Sequence, residues 1–122
     1  MNFHRKLIPP DPRTVGKDPD YRYTLANERT FLAWIRTALA LAAGGLAAIS
    51  LIPDFYGAEP LGLALLVLSL VTAAGAYRRW ALSEAAMRLG QPLPPSSLPK
   101  VITAAAALVA VAVAVLFILD QA

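Results

Sequence analysis

The chain has 122 residues, of which 57% are hydrophobic, and it carries a formal net charge of +3. This length and composition predict one small integral membrane domain, with no room for a separate soluble enzyme. The absence of cysteine excludes disulfides, thiol catalysis and thiolate metal sites, and the single histidine, His4, is too little for a zinc site. We therefore expect no enzyme activity, no catalytic residue, no cofactor, no metal and no nucleic-acid partner.

The N-terminal residues 1–20 are predicted to be an irregular cytoplasmic tail. Their prolines disfavour a helix, and their alternating charges leave no apolar face. The remainder, 21–122, is predicted to be a transmembrane domain of three helices. We take these helices in chain order.

The first long apolar run extends from Phe31 to Ile52 and, at 22 residues, is long enough to cross a bilayer as a helix. A charged segment precedes this run, so its position and length differ from those of a cleaved signal peptide. Thr24 is a candidate N-cap, and Pro53 predicts the end of the helix. The predicted span is therefore 31–52.

Two further apolar runs predict spans at about 61–77 and 99–119. We expect the second helix to continue beyond the membrane and to end at a C-cap on Gly90, since glycine favours helix ends. A proline-rich loop, 91–99, then leads into the third helix. The short 53–60 connection makes the first two helices antiparallel neighbours.

The distribution of cations predicts the orientation of the three spans. All 11 lysine and arginine residues fall within the first 36 residues, within 78–88, or at Lys100. The 53–60 connection has no cation and carries two carboxylates. By the positive-inside rule the N-terminus lies in the cytoplasm and the C-terminus outside. The predicted fold is an all-α protein that crosses its membrane three times.

Arg22, Arg29 and Arg36 recur every seven residues and therefore share one face of the first helix. Arg36 lies inside the apolar run, roughly 7–8 Å past Phe31 at 1.5 Å per residue. One interpretation is that Arg36 reaches back to the interface as an anchor. The other is that this face points into the interior of an assembly, because a charge near lipid is costly.

Further cations and carboxylates are predicted near the same end of the helices. The second helix brings Arg78 and Arg79 to about the depth of Arg29, either as anchors or as additional anion-binding groups. Glu28 is expected to pair with one of these two arginines across the helices. Glu84 and Arg88 are spaced as an i,i+4 ion pair.

Small residues recur at four-residue spacing in the first span, a pattern that allows close helix packing in lipid. The predicted packing residues are Ala40, Gly44 and Ala48. The third span has a similar alanine repeat, and the pattern is unspecific because alanine-rich spans produce it by chance. A protomer of three helices is too thin to enclose a pathway, so we expect any pathway to belong to a homo-oligomer.

Three stretches carry a resemblance to a known family: ANERTFLAWIRTALALAAGGLAA (26–48), YRRW (77–80) with Glu84, and AMRLGQPLP (86–94). Together they resemble the YidH-type bacterial inner-membrane family, which carries the domain of unknown function 202. This domain is similar to the membrane part of the eukaryotic vacuolar transporter chaperone, which makes polyphosphate and passes it across a membrane. There, five copies surround a pore lined by basic residues.

By position, the resemblance implies pore-lining roles for Arg22, Arg29 and one of Arg78 or Arg79, and a structural or gating role for Glu28. It also implies a multi-pass protein of the cell inner (plasma) membrane, and it favours a pentamer. The chain lacks the domain that makes polyphosphate, and Arg36 stands where the eukaryotic relatives carry an uncharged polar residue.

Two functions remain open from the sequence. The first is an oligomeric channel or conduit for anions, phosphate or polyphosphate, lined by arginines at its cytoplasmic side. The alternative is a non-conducting scaffold or adaptor whose arginines bind anionic lipid head groups or a partner membrane protein.

Overall fold

The computed structural model describes residues 8–121. Within them all three long helices are apolar enough to cross a membrane, which confirms an all-helical protein with three candidate spans. Residues 1–7 of the predicted tail, and Ala122, lie outside the described residues. The elements are a 3₁₀ turn at Pro12–Thr14, α1 at Tyr21–Leu51, α2 at Ala58–Leu89 and α3 at Leu98–Asp120.

Helix α1 begins earlier than its predicted cap. The Asp20 carboxylate accepts a hydrogen bond from the N–H of Arg22 at 2.9 Å, and the Asp20 carbonyl accepts one from Tyr23 at 3.0 Å. A side-chain oxygen in this position satisfies an N–H that has no partner within the helix. Asp20 is thus the cap, and the expectation that Thr24 caps the helix is wrong: Thr24 lies inside α1.

The C-terminal end of α2 is confirmed at the predicted glycine. Gly90 has a φ of +67°, in the left-handed region that glycine adopts without a steric cost. The Gln91 N–H donates to the carbonyl of Ala86 at 2.8 Å, and the Gly90 N–H donates to the carbonyl of Met87 at 3.4 Å. These two bonds form a Schellman motif, which satisfies carbonyls that the helix leaves unpaired.

The chain forms two compact units, and both α1 and α2 contribute to each of them. The first unit holds residues 8–36 and 73–96, and the second holds 37–72 and 97–121. In the first unit the most enclosed stretch is 81–86 of α2, in which every residue is buried. This stretch is the core against which the other parts of the unit pack.

In the second unit, α1 and α2 approach closely at two glycines. A Cβ placed on Gly45 would lie 2.7 Å from the carbonyl oxygen of Gly62, so a side chain here would not fit. Nearby, the Ser69 hydroxyl donates to the carbonyl of Ala38 at 2.6 Å. Small residues and hydrogen bonds of this kind hold helices together in lipid.

The predicted packing residues have different environments. Ala48 is buried, whereas Ala40 and Gly44 are exposed within the protomer. A Cβ on Gly44 would meet only the end of the Leu65 side chain, at 3.8 Å. The close contact therefore lies at Gly45, one residue from the predicted position.

Within the second unit, helix α3 packs near the 53–57 connection. The Asp120 carboxylate accepts a hydrogen bond from the N–H of Tyr56 at 3.0 Å. Leu116 lies against Gly57, where an added Cβ would come within 2.6 Å of its side chain. No residue in the most apolar stretch of α3 is buried within the protomer.

Candidate anion-binding face

Helix α1 has a buried face and an opposite face that carries the predicted arginines. Asn27 and Ala38 are buried; Arg29 follows Asn27 by two residues, and Arg36 precedes Ala38 by two. Two residues correspond to about 200° around an α-helix. Both arginines are exposed, as is Arg22. The structure thus places all three arginines of α1 away from the packed side of the helix.

Arg22 differs from the other two because it has a partner. Its guanidinium binds the Asp20 carboxylate, with Nη2 at 2.8 Å from Oδ2. The Arg22 side chain, and then its backbone N–H, hold the pKa of Asp20 below its usual value. For Arg29 and Arg36, the part of the chain that the structure describes provides neither a hydrogen bond nor an ion pair.

Arg78 and Arg79 of α2 are half-buried rather than exposed. The Nη1 atom of Arg79 is enclosed, and no hydrogen-bond partner for it lies within residues 8–121. Arg78 does engage in an interaction. Both belong to the packed part of α2, so the exposed cationic face consists of the arginines of α1.

Glu84 is the buried carboxylate of the first unit, with 3% of its surface exposed. Its Oε1 accepts a hydrogen bond from the Thr24 hydroxyl at 2.9 Å, and its Oε2 accepts one from the Asn27 amide at 3.4 Å. The Asn27 amide also donates to the carbonyl of Trp80 at 3.1 Å. These bonds join α1 to α2. They also satisfy polar groups whose burial without a partner would destabilise the protein.

The structure gives Arg88 partners in the N-terminal segment, in place of the predicted pair with Glu84. Its Nη1 binds the Asp18 carboxylate at 2.6 Å, and its Nε donates to the carbonyl of Val15 at 2.7 Å. Its Nη2 donates to the carbonyl of Arg13 at 3.2 Å. Three bonds from one guanidinium attach this segment to the end of α2.

Glycine is required where the N-terminal segment meets α2. Gly16 has a φ of +60°, and a Cβ on it would overlap the carbonyl of Arg88. The same carbonyl accepts a hydrogen bond from the N–H of Lys17 at 3.0 Å. Only a residue without a side chain allows the two backbones to approach this closely.

Glu28, the predicted partner of Arg78 or Arg79, is exposed and forms no ion pair among the described residues. The carboxylate that joins the helices is Glu84, and its donors Thr24 and Asn27 were not predicted. Their spacing of three residues places both on one side of α1. Two polar side chains on the buried side of a helix are a sequence signal for such a cluster.

The described part of the chain holds no metal-binding cluster, and a groove in its second unit is apolar. The described residues contain no group of three or more His, Cys, Asp or Glu side chains that could hold a metal ion. A groove of about 840 Å³ lies in the second unit. All of its lining residues are apolar, and they include Gly44, Leu65, Ala114 and Phe117. The groove therefore offers no group for acid–base or nucleophilic chemistry.

Comparisons with known proteins identify relatives of the membrane domain. The family described as "Domain of unknown function (DUF202)" matches residues 22–86. The chain is 51% identical over 85 residues to "Inner membrane protein YidH" of Escherichia coli (strain K12), covering 66% of this chain and 72% of that protein.

It is also 49% identical over 80 residues to "Uncharacterized protein Rv2272" of Mycobacterium tuberculosis (strain ATCC 25618 / H37Rv), covering 63% of this chain and 66% of that protein. No solved structure matches the chain. The family match includes all three arginines of α1 together with Glu84.

Proposed function

The chain belongs to the DUF202 family and is a multi-pass protein of the inner membrane, and from this premise we propose that several copies assemble into a conduit for phosphate-containing anions. The arginine face of α1 lines its cytoplasmic part. The proposed assembly is a ring of 21–122 domains, with the 1–20 segment as its cytoplasmic tail. Five copies is the number favoured by the resemblance to the vacuolar transporter chaperone.

A single observation carries the proposal: Arg29 and Arg36 are exposed on α1 without a carboxylate partner among the described residues. Arg36 follows Phe31 by five residues and is thus inside the apolar run. A charged side chain within the hydrocarbon region costs several kcal/mol unless it faces a bundle interior or a water-filled cavity. An assembly with this face turned inward removes that cost.

The chemistry of the lining favours anions. Repeated rings of arginine attract anions and reject cations, and each guanidinium presents a planar set of donors that fits phosphate oxygens. Arg22 would add a third ring whose charge is reduced by Asp20. Arg29 and Arg36 are therefore the residues expected to bind a passing anion.

The proposed orientation is N-terminus in and C-terminus out. It places Arg29, Arg36 and the end of α2 with Arg88 at the cytoplasmic side, and the uncharged end of α1 outside. The cations of the conduit would then lie at the side from which cellular phosphate-containing anions arrive.

An adaptor function is the second candidate, and one observation favours it. Tyr21 and Tyr23 are 73% and 61% exposed beside Arg22. Exposed aromatic residues next to cations are typical of a membrane interface that binds anionic head groups. In this case the arginines would hold lipid or a partner, and the protein would conduct nothing.

Anion flux through proteoliposomes tests the proposal. The purified protein is reconstituted, and efflux of inorganic phosphate and of a short polyphosphate is compared with efflux of potassium. We expect anion efflux to exceed potassium efflux. Arg36→Gln should lower anion efflux about tenfold or more, since a lost charge-assisted hydrogen bond of roughly 1.5–3 kcal/mol corresponds to at least that factor.

Arg13→Gln is the matched control, because Arg13 is an exposed arginine outside α1 that pairs with Asp11. It should leave efflux unchanged. Reconstituted protein that passes no anion, while Arg29→Gln weakens its binding to vesicles of anionic phospholipid, would overturn the conduit and support the adaptor.

A further inference from the structure

The exposed face of α1 carries three parallel stripes with a period of seven residues. The arginine stripe is Arg22, Arg29 and Arg36. The leucine stripe is Leu25, Leu32, Leu39 and Leu46. The alanine stripe is Ala26, Ala33, Ala40 and Ala47. Each leucine follows a position of the arginine repeat by three residues, and each alanine follows it by four.

The side chains of the leucine and alanine stripes are largely exposed in the protomer. The four leucines are 48%, 51%, 66% and 60% exposed in chain order. The alanines are exposed too, except Ala47, which is half-buried. Four large apolar side chains at one repeat, and four of the smallest at another, give α1 a ridge on one side and a shallow groove on the other.

The helix geometry places the ridge and the groove symmetrically about the arginines. With a repeat of seven residues in two turns, steps of three and four residues lie about 51° to either side of the starting position. In a ring of parallel helices, the contacts with the two neighbours lie at about 45° from the inward direction for four members and about 54° for five. The leucine and alanine stripes match that range.

Resting on the proposed function, we infer that the leucine stripe of one copy packs against the alanine stripe of the next, and that repetition of this contact closes a ring with the arginine stripe inside. The contact is heterologous, because two different surfaces of the same helix meet, and such contacts generate closed rings. Leucines act as knobs, and the spaces between alanines act as holes.

Cyclic symmetry about the membrane normal requires contacting surfaces to lie at the same depth. The two stripes satisfy this condition, because neighbouring members such as Leu39 and Ala40 are one residue apart on one helix, or about 1.5 Å in height. Two surfaces on different helices would lie at the same depth in the membrane only by chance. A stripe pair on α1 meets the requirement along its whole length.

The occupant of this face is a second copy rather than lipid. Lipid tails would cover the leucine stripe equally well, but they would also cover Arg36, which lies between the leucines and the alanines within the apolar run. A second copy packed at each flank keeps lipid from the arginines and leaves them a shared, hydrated centre. The same helix–helix contact therefore covers the two apolar stripes and shields the arginines from lipid.

Disulfide cross-linking in native membranes tests the contact, and the chain has no cysteine to interfere. Leu39→Cys and Ala40→Cys are introduced together, and membranes are oxidised before solubilisation. Each copy then carries both halves of the contact, so we expect a ladder of linked species that ends at four or five copies. Either substitution alone should give monomers, because its partner position lacks a thiol.

The matched control is Ala114→Cys with Val115→Cys, an adjacent exposed pair on α3. It should give no ladder. Dimers from Leu39→Cys alone, or no cross-linking from the double variant, would overturn the inferred contact. A ladder with unaltered flux in Arg36→Gln would uphold the contact and overturn the conduit. Anion flux without a cross-linked ladder would uphold the conduit and overturn the inferred contact.

Discussion

Glu84 provides the sharpest test of how the first unit is held together, and Glu84→Ala is expected to destabilise that unit by roughly 2–4 kcal/mol. The bond from the Thr24 hydroxyl, at 2.9 Å, lies within the ordinary range for O–H···O hydrogen bonds. The bond from Asn27, at 3.4 Å, is long, and the Asn27 amide keeps its second acceptor on Trp80. Most of the loss in stability therefore comes from the Thr24 bond, because its half-buried hydroxyl is left without an acceptor.

Glu28→Ala is the matched control, because Glu28 is a carboxylate that is exposed and forms no ion pair among the described residues. It should change the free energy of unfolding by less than about 0.5 kcal/mol. Unfolding can be followed in mixed detergent micelles by the fluorescence of Trp80, with Trp34→Phe as the common background. Equal destabilisation by the two alanine substitutions would refute the assignment of Glu84 as the structural carboxylate.

A double-mutant cycle isolates the bond itself. Thr24→Val removes the hydroxyl and keeps the shape, so its loss should be largely redundant with that of Glu84→Ala. The expected coupling free energy is roughly 1.5–3 kcal/mol, the range for hydrogen bonds to charged groups. Additive effects would mean that the two residues contribute independently and that the 2.9 Å contact does not stabilise the helix pair.

Two further predictions concern the N-terminal segment and the second unit. Arg88→Gln should release the N-terminal segment from α2, and hydrogen exchange at the Lys17 amide should then become faster. Arg13→Gln is the control and should leave this exchange slow. Slow exchange in both variants would contradict the prediction. Gly45→Ala should cost roughly 1–3 kcal/mol through overpacking against Gly62, whereas Gly44→Ala should be nearly neutral, measured by thermal unfolding in detergent.

The helices could be predicted from sequence because their signals are local. Long apolar runs identify the three spans, and Gly90 marks the end of α2 because a left-handed residue is needed there. The start of α1 was harder to predict, since Asp20 and Thr24 are both residue types that favour the N-cap position. Asp20 prevails because its carboxylate reaches the Arg22 N–H, while the Thr24 hydroxyl is taken by Glu84.

The polar contacts were predicted less well because their partners are distant in the chain. The spacing of Glu84 and Arg88 favours a local ion pair. In the structure Arg88 binds Asp18, 70 residues away, and Glu84 binds Thr24, 60 residues away. A spacing rule counts only neighbours on one helix, so it cannot include a segment that folds back onto α2.

The polar side chains near the membrane divide into two groups by what the protomer needs. Asn27, Ser69 and Glu84 are bonded across α1 and α2, and removing their partners would leave unsatisfied groups inside the protein. Arg29 and Arg36 form no hydrogen bond or ion pair with the residues that the structure describes, and the position of Arg36 within the apolar run carries an energetic cost. A group that a fold does not need but retains at a cost is expected to serve a function, because functional sites are where local rules of stability are broken. For these arginines we propose a function outside the single chain, in the assembly that would face α1.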